Sequence, residues 1–371
     1  MNKLVGGAVD LFRIFAVLVL GLLVCFPALK GLWLGYVPVL LGLAVAQHLT
    51  KTGLPAVSAG WPERRFLALV LGLPAMIQVI LLLALRPEPS FDGLFVYREA
   101  VTLADTGRLS PLTYYPPAQT WWYALWFKLL GASPLVAQLS HLPWHAVVIL
   151  LVYGLARQVA PPAARLAAVA VAFYPSFLGY VLTTPYYHYL YTATLVASAW
   201  GWWAMARGGR GGLGAGFVSG LGALTKATQL IAPAQAAVFA LLAPGVTARR
   251  KIALVLLTTA GLVLVLTPWV VRNYRIFGAW VPVCTSGGLV LYSANNPESN
   301  GLYSPTPDQA EIRTPADMLA HSQACSEKAV DFMREHPGQV ARLAGRKVLH
   351  TWGSEATFAE LINRQGRPLG R

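Results

Sequence analysis

Residues 251–270 read KIALVLLTTAGLVLVLTPWV. After Lys251 no charged side chain interrupts a stretch long enough to cross the roughly 30 Å hydrocarbon core of a bilayer, which takes about 20 apolar residues. Working outward, similar runs occupy about 10–28, 32–48, 66–85, 135–156, 164–183 and 186–206. A further apolar stretch, 213–243, is broken near Lys226 and Thr228 and reads as two short helices turning back at the outer face. The sum is about nine crossings. Composition agrees: 56% of the 371 residues are hydrophobic, 12% are charged, and mean hydropathy is +0.54. Soluble domains carry about twice that charge. The chain is therefore expected to be an all-α polytopic membrane protein.

The net charge of +14 and pI near 9.9 do not point to nucleic acid, because the cations lie between apolar runs instead of forming one basic face. With the N-terminus inside, Lys51, Arg64, Arg65, Arg157, Arg165, Arg207, Arg210, Arg249, Arg250 and Lys251 all fall in the cytoplasm, as the positive-inside bias requires. This leaves two outward segments, about 86–134 and 272–371. Residues 1–271 read as a transmembrane module, and 272–371 as an outward-facing segment with interfacial helices. Cys25 lies in the first apolar run, which no small-x-small site closes, so that run reads as a membrane helix and not as a signal peptide. Cys284 and Cys325 both face outward, where a disulfide and two thiols are equal alternatives.

In the first outward segment, Leu94, Tyr97, Val101 and Ala104 recur at helical spacing between Asp92 and Asp105. Pro116-Pro117 opens a second helix, rich in Trp and Tyr, that ends at Gly131. In the tail, Thr314, Pro315 and Asp317 supply a helix start. From Pro337 to about Trp352 an apolar stripe bordered by Arg342, Arg346 and Lys347 marks an interfacial helix. Gly209, Gly211 and Gly214 fit G-x-G-x-x-G but join two membrane helices, without the strand that dinucleotide binding needs. Gly208, Gly212, Gly216 and Gly220 instead form a flat face for close helix packing.

Asp92 opens the outward loop, where an ionised acid meets both water and lipid; its plain alternative is a helix cap or dipole partner. Lys226 sits at a turn at membrane depth, where cations are rare and functional or else snorkel. Arg272 follows Thr267-Pro268-Trp269 as an anion ligand or an interface anchor. Together the two cations suit the phosphate of a lipid carrier. His188, among Tyr186, Tyr187, Tyr189 and Tyr191, reads as an interhelical hydrogen-bonding group before a metal ligand.

Three stretches resemble the GT-C glycosyltransferases of the protein mannosyltransferase and aminoarabinose transferase group. They are Phe91-Asp92 with Tyr97, Ala100, Tyr115-Pro116-Pro117 and Gly131; Gly220 to Lys226 (GLGALTK); and Thr267 to Gly278 (TPWVVRNYRIFG) with Asn295-Asn296-Pro297. The tail pattern Glu335-His336-Pro337 … Lys347 … Trp352 is similar too. The resemblance implies a GT-C-like bundle in a cell inner (plasma) membrane with its site facing the periplasm or exterior. It also implies a polyprenyl-phosphate sugar donor and a hydroxyl acceptor on a lipid, glycan or protein. Asp92 matches the catalytic aspartate; Lys226 and Arg272 become donor-phosphate ligands, and Tyr97, Arg98, Tyr115, His188 and Asn295 candidate substrate contacts. Gly93 stands where many relatives carry a second acid and Thr183-Thr184-Pro185 where a glutamate is frequent, so a divalent-metal cofactor stays open. A degenerate relative that binds a lipid-linked glycan and a transporter of such a lipid are the rival functions.

Overall fold

A computed structural model describes residues 61–89, 91–112, 114–182, 187–301 and 312–353. The expected spans at 10–28 and 32–48, with Cys25, lie outside these residues. Every regular element among the described residues is helical, in keeping with an all-α membrane protein.

The run at 66–85 forms α1 (Glu63–Leu85), whose first-turn Glu63 complements the helix dipole. Helices α2 (Phe91–Thr106) and α3 (Ala118–Leu130) follow in the segment after α1, close to their expected bounds. Gly131 ends α3 at φ 86, a conformation that suits glycine. The run at 135–156 becomes α4 (Pro134–Leu139), capped by Ser133, and α5 (Leu142–Val159). The stretch at 164–183 is not the single span expected. It divides into α6 (Ala164–Ala172), α7 (Pro175–Gly179) and a 3-10 turn at Tyr180–Leu182. The residue before a proline is driven out of the helical region, and Tyr174 precedes Pro175.

Helix α8 (His188–Ala206) matches its expected span. Then α9 (Gly212–Thr225) and α10 (Ala232–Leu242) flank a 3-10 turn at Ala227–Ile231, the two short helices that the sequence suggests. The break falls at Lys226, which is extended at φ −149 and ψ 120. Helix α11 (Ala248–Phe277) continues past its expected end at 270 to a left-handed cap at Gly278. In the tail, α12 (Gly287–Ala294) forms within a stretch read as loop. Thr314 and Asp317 close a capping box at the start of α13 (Pro315–Glu335), and α14 (Pro337–Gly353) follows.

Among the described residues three apolar stretches are long enough to cross a bilayer: α1, the α4–α5 stretch from Pro134 to Val159, and α11; α9, α10 and the Pro161–Ala172 stretch around α6 are shorter apolar helices. Basic helix ends meet in pairs. Arg157 binds Glu63 at 2.7 Å, and Arg250 reaches the Gly208 carbonyl at 3.5 Å. The start of α1 thus lies beside the end of α5, and the start of α11 beside the end of α8.

Helices α9 and α11 pack backbone against backbone. Gly216 lies against the backbone of Thr258, Gly261 against Leu213 and Phe217, and a Cβ on Gly220 would meet Val265 at 2.6 Å. Small residues allow such an approach between membrane helices, where dispersion and not the hydrophobic effect holds helices together. Around this seam Trp202 Nε1 donates to Thr258 Oγ1 at 3.1 Å, and Ser198 Oγ lies 2.9 Å from Ser219 Oγ. A second set of buried polar contacts ties α1 to α5 and α8. There Gln78 Nε2 donates to Tyr189 OH at 2.9 Å, and Gln78 Oε1 lies 3.2 Å from His145 Nδ1. No disulfide joins Cys284 and Cys325; the first lies 3.3 Å from Ser286 Oγ and the second 3.7 Å from His321 Nε2.

The seam yields a contrast. Gly216→Leu forces α9 off α11 and is expected to cost about 1–3 kcal/mol, whereas Gly214→Leu, with open space around it, leaves stability near wild type. Thermal midpoints of the two purified variants in detergent test this. Equal midpoints contradict the packing.

Candidate functional site

A cavity lies where α2, the loop after it and the start of α3 meet the residues at the start of α13. It encloses about 450 Å³, within the usual range for ligand pockets. Phe95, Val96 and Glu99 of α2, Leu109, Ser110, Leu112, Tyr114 and Tyr115 of the following loop, Thr120 of α3, and Ile312 and Met318 supply its wall.

Each wall is held by contacts its sequence explains. Helix α2 buries Val96 and Ala100 against Tyr123 and Phe127 of α3, because these residues share one helical face. Phe95 and Glu99, on the flank of that face, line the cavity beside Val96. The loop is tied down by Arg272, whose Nη2 donates to the Ser110 carbonyl at 2.7 Å and whose Nη1 donates to Asn273 Oδ1 at 3.0 Å. The Arg272 guanidinium lies 4.5 Å from the centre of the Trp269 ring, and Trp269 meets Trp121 of α3 edge-on at 5.4 Å. Leu112 and Tyr114 complete the anchorage against Phe277 and Met318.

Asp92 is exposed in the first turn of α2. Positions 92, 96 and 99 fall on one helical face, so Asp92 stands one turn from the wall residue Val96, about 6 Å along the axis. Glu99 lines the cavity. Burial raises the Glu99 pKa, while the Ser110 backbone hydrogen bond and the Arg272 charge pull it back in part. Tyr115 is a second wall residue. It lies 6.4 Å from Phe95 and meets Tyr114 edge-on at 4.7 Å.

The remaining expected site residues are placed elsewhere. Tyr97 packs edge-on against Phe127 at 5.3 Å, and Arg98 is exposed on a third face of α2. Lys226 Nζ lies 4.5 Å from the centre of the Tyr187 ring and 5.6 Å from that of Tyr191, both at the start of α8. Beside it His188 stacks on Tyr180 at 4.2 Å. Asn295 is buried in the tail, where its Oδ1 accepts from Lys347 Nζ at 3.1 Å. The structure thus places Tyr115 in the cavity wall, Arg272 behind that wall on the Ser110 carbonyl, Lys226 and His188 in an aromatic cluster, and Asn295 with neither.

The two cations are nevertheless close in height. Helices α9 and α11 run parallel, with Gly216 beside Thr258 and Gly220 beside Leu262 and Val265. Continuing that register puts Lys226 about one turn below Arg272. Lys226 is aimed at α8 and Arg272 at the loop. Glu99 and Ser110 are the participants that sequence reading missed. Glu99 stands two turns after Asp92 on the same face, a spacing that was there to be read; the Ser110 carbonyl carries no signal in sequence. Among the described residues no group of three His, Cys, Asp or Glu side chains converges on a metal-sized site.

Residues 115–271 match the dolichyl-phosphate-mannose-protein mannosyltransferase family. This match supports a GT-C glycosyltransferase. It spans α3 to α11, including Tyr115, His188 and Lys226, and ends one residue before Arg272. No curated protein and no solved structure matches the chain.

The Glu99 environment carries its own pH signature. A carboxyl whose folded pKa is raised is most favourable when protonated, so its contribution is complete below the ordinary value of 4.5 and is lost as pH rises through the folded value. Glu99→Gln removes this penalty. The variant is expected to melt above the wild type at neutral pH, with the gap closing below pH 4.5. A gap that widens on acidification contradicts the burial of Glu99.

Proposed function

We propose that this chain transfers a sugar from a polyprenyl-phosphate donor to a hydroxyl of a lipid, glycan or protein on the non-cytoplasmic face of a cell inner membrane. The observation that carries the reading is the cavity itself. Glu99 of α2 lines it, Asp92 stands on the same face of that helix one turn from the wall residue Val96, and Arg272 holds the Ser110 carbonyl of its wall. The family match supports glycosyl transfer independently.

The chemistry asks little beyond these groups. The acceptor oxygen bonds to the anomeric carbon of the donor as the bond from that carbon to the phosphate oxygen breaks. Asp92 accepts the acceptor's proton as general base. The carrier leaves as a phosphate anion, so it needs cations and not a proton; Arg272 and Lys226, near one height, supply them. Phe95, Tyr114 and Tyr115 offer faces for a sugar ring, and Glu99 is placed to accept from its hydroxyls. Exposed apolar side chains on α11, such as Val263, Leu264 and Val271, give the prenyl chain a surface to lie along.

Asp92→Asn separates base from cap. Asn caps a helix about as well as Asp, so the variant is expected to fold and to insert, yet to lose roughly 10²–10⁴-fold in transfer rate. Lys226→Ala is expected to raise the donor KM more than it lowers kcat, since a phosphate ligand acts in the ground state as well. The readout is transfer of radiolabelled sugar from polyprenyl phosphate in membranes carrying each variant. Near-wild-type turnover by Asp92→Asn contradicts the base role. No transfer by the wild type across a panel of donors would favour a binding protein.

A further inference from the structure

A second cleft, of about 290 Å³, lies in the tail between α14 and the turn that follows α12. Ser299, Gln339, Arg342, Leu343 and Arg346 line it. Its floor is buried: Leu343 and Ser299 are 2% and 7% exposed, and Ser299 Oγ accepts from the Asn296 amide at 3.0 Å and donates to the Ser293 carbonyl at 3.2 Å. The turn is drawn onto α14 at Gly301, where φ is +95 and a Cβ would meet Arg346 Cβ at 2.7 Å. Gln339 Nε2 reaches the Pro297 carbonyl at 3.5 Å from the other end. This close seating leaves Arg342 and Arg346 as the exposed rim.

The charge at that rim is unbalanced. Arg342 and Arg346 are one turn apart, where like charges repel by about 0.2–0.5 kcal/mol even on an exposed helix. Arg342 Nε reaches only its own helix, at the Gly338 carbonyl, 3.4 Å away. Among the described residues neither guanidinium forms an ion pair. From Pro337 to Gly353 the sequence contains no acid at all, and Lys347 adds a third cation. Glu298, the acid of the adjoining turn, does not line the cleft. Leu349 lies one turn beyond Arg346 on the same face and is 43% exposed, and Val348 beside it is 60% exposed.

We propose that this cleft binds the phosphate of an anionic phospholipid headgroup. Two guanidinium forks at the rim match phosphate oxygens. The exposed Leu349 continues from the rim on the same face as a surface for an acyl chain, as in helices that lie in a membrane interface. The headgroup relieves the repulsion between the two arginines and pins α14 to the bilayer. This site is separate from the cavity at α2 and does not depend on the reaction proposed there.

The test uses the purified full chain in neutral detergent, with binding of phosphatidylglycerol, phosphatidylcholine and inorganic phosphate followed by native mass spectrometry. The wild type is expected to retain phosphatidylglycerol in preference to phosphatidylcholine, and less of it as salt rises. The double variant Arg342→Gln with Arg346→Gln is expected to lose about 10- to 30-fold in affinity, given about 1 kcal/mol for each cation near a lipid surface. Arg108→Gln with Lys128→Gln removes the same net charge elsewhere and is expected to bind as the wild type does. Equal loss in both double variants would reduce the effect to bulk charge and overturn the site. Undiminished binding by the first variant overturns it too. Displacement of phosphatidylglycerol by an equal concentration of inorganic phosphate would make the ligand free phosphate and overturn the lipid assignment.

Discussion

The backbones of α9 and α11 touch, and the relative heights of Lys226 and Arg272 follow from that contact. Gly216 and Gly261 remove the side chains that would hold the helices apart. With them in contact, the end of α9 is fixed in height against α11, so Lys226 emerges near the level of Trp269. Trp269 in turn meets Trp121, donates to the Val283 carbonyl at 2.7 Å and lies under Arg272. Arg272 then holds the Ser110 carbonyl and fixes the loop that walls the cavity. A helix–helix contact near the middle of the apolar layer is thereby converted into the geometry of a site at its edge.

The fold was legible where one periodicity dominated. Apolar length alone located α1, α8 and α11, and the proline and glycine pairs located α3. The tail helix α13 could be read from Thr314, Pro315 and Asp317 because a capping box is a local device. Two features escaped. The interruption at Tyr174 lies inside a run apolar enough to pass for one span, and hydropathy cannot register the backbone constraint that Pro175 places on it. Helix α12 hides in a glycine-rich stretch because Gly288 serves tertiary packing, admitting the backbone of Ser322, and glycine reads locally as a breaker.

The site was legible in part, for a related reason. Asp92 and Arg272 stand at positions where charge at a membrane edge is conspicuous; Asp92 shares a helical face with the wall residues Val96 and Glu99, and Arg272 holds the Ser110 carbonyl of the wall. Tyr97 and Arg98 were drawn in by closeness in sequence to Asp92, yet residues five and six positions away point to other faces of the helix. Asn295 belongs to a stretch that resembles the family, but it serves the tail by accepting from Lys347. Glu99 was passed over although it shares the face of Asp92. Its burial depends on the loop from Gly107 to Pro117 folding back over α2, which is a tertiary fact.

The account depends on the carrier's head entering the cavity at α2. The most direct measurement is photo-crosslinking of the purified chain with a polyprenyl phosphate bearing a diazirine on its first isoprene unit, followed by peptide mapping. Adducts are expected on peptides from α2, from the Leu109–Tyr115 loop and from the Thr267–Phe277 end of α11, and an excess of unlabelled polyprenyl phosphate is expected to suppress them. Adducts confined to the lipid-facing side chains of α1 and α10, unaffected by that competitor, would contradict it.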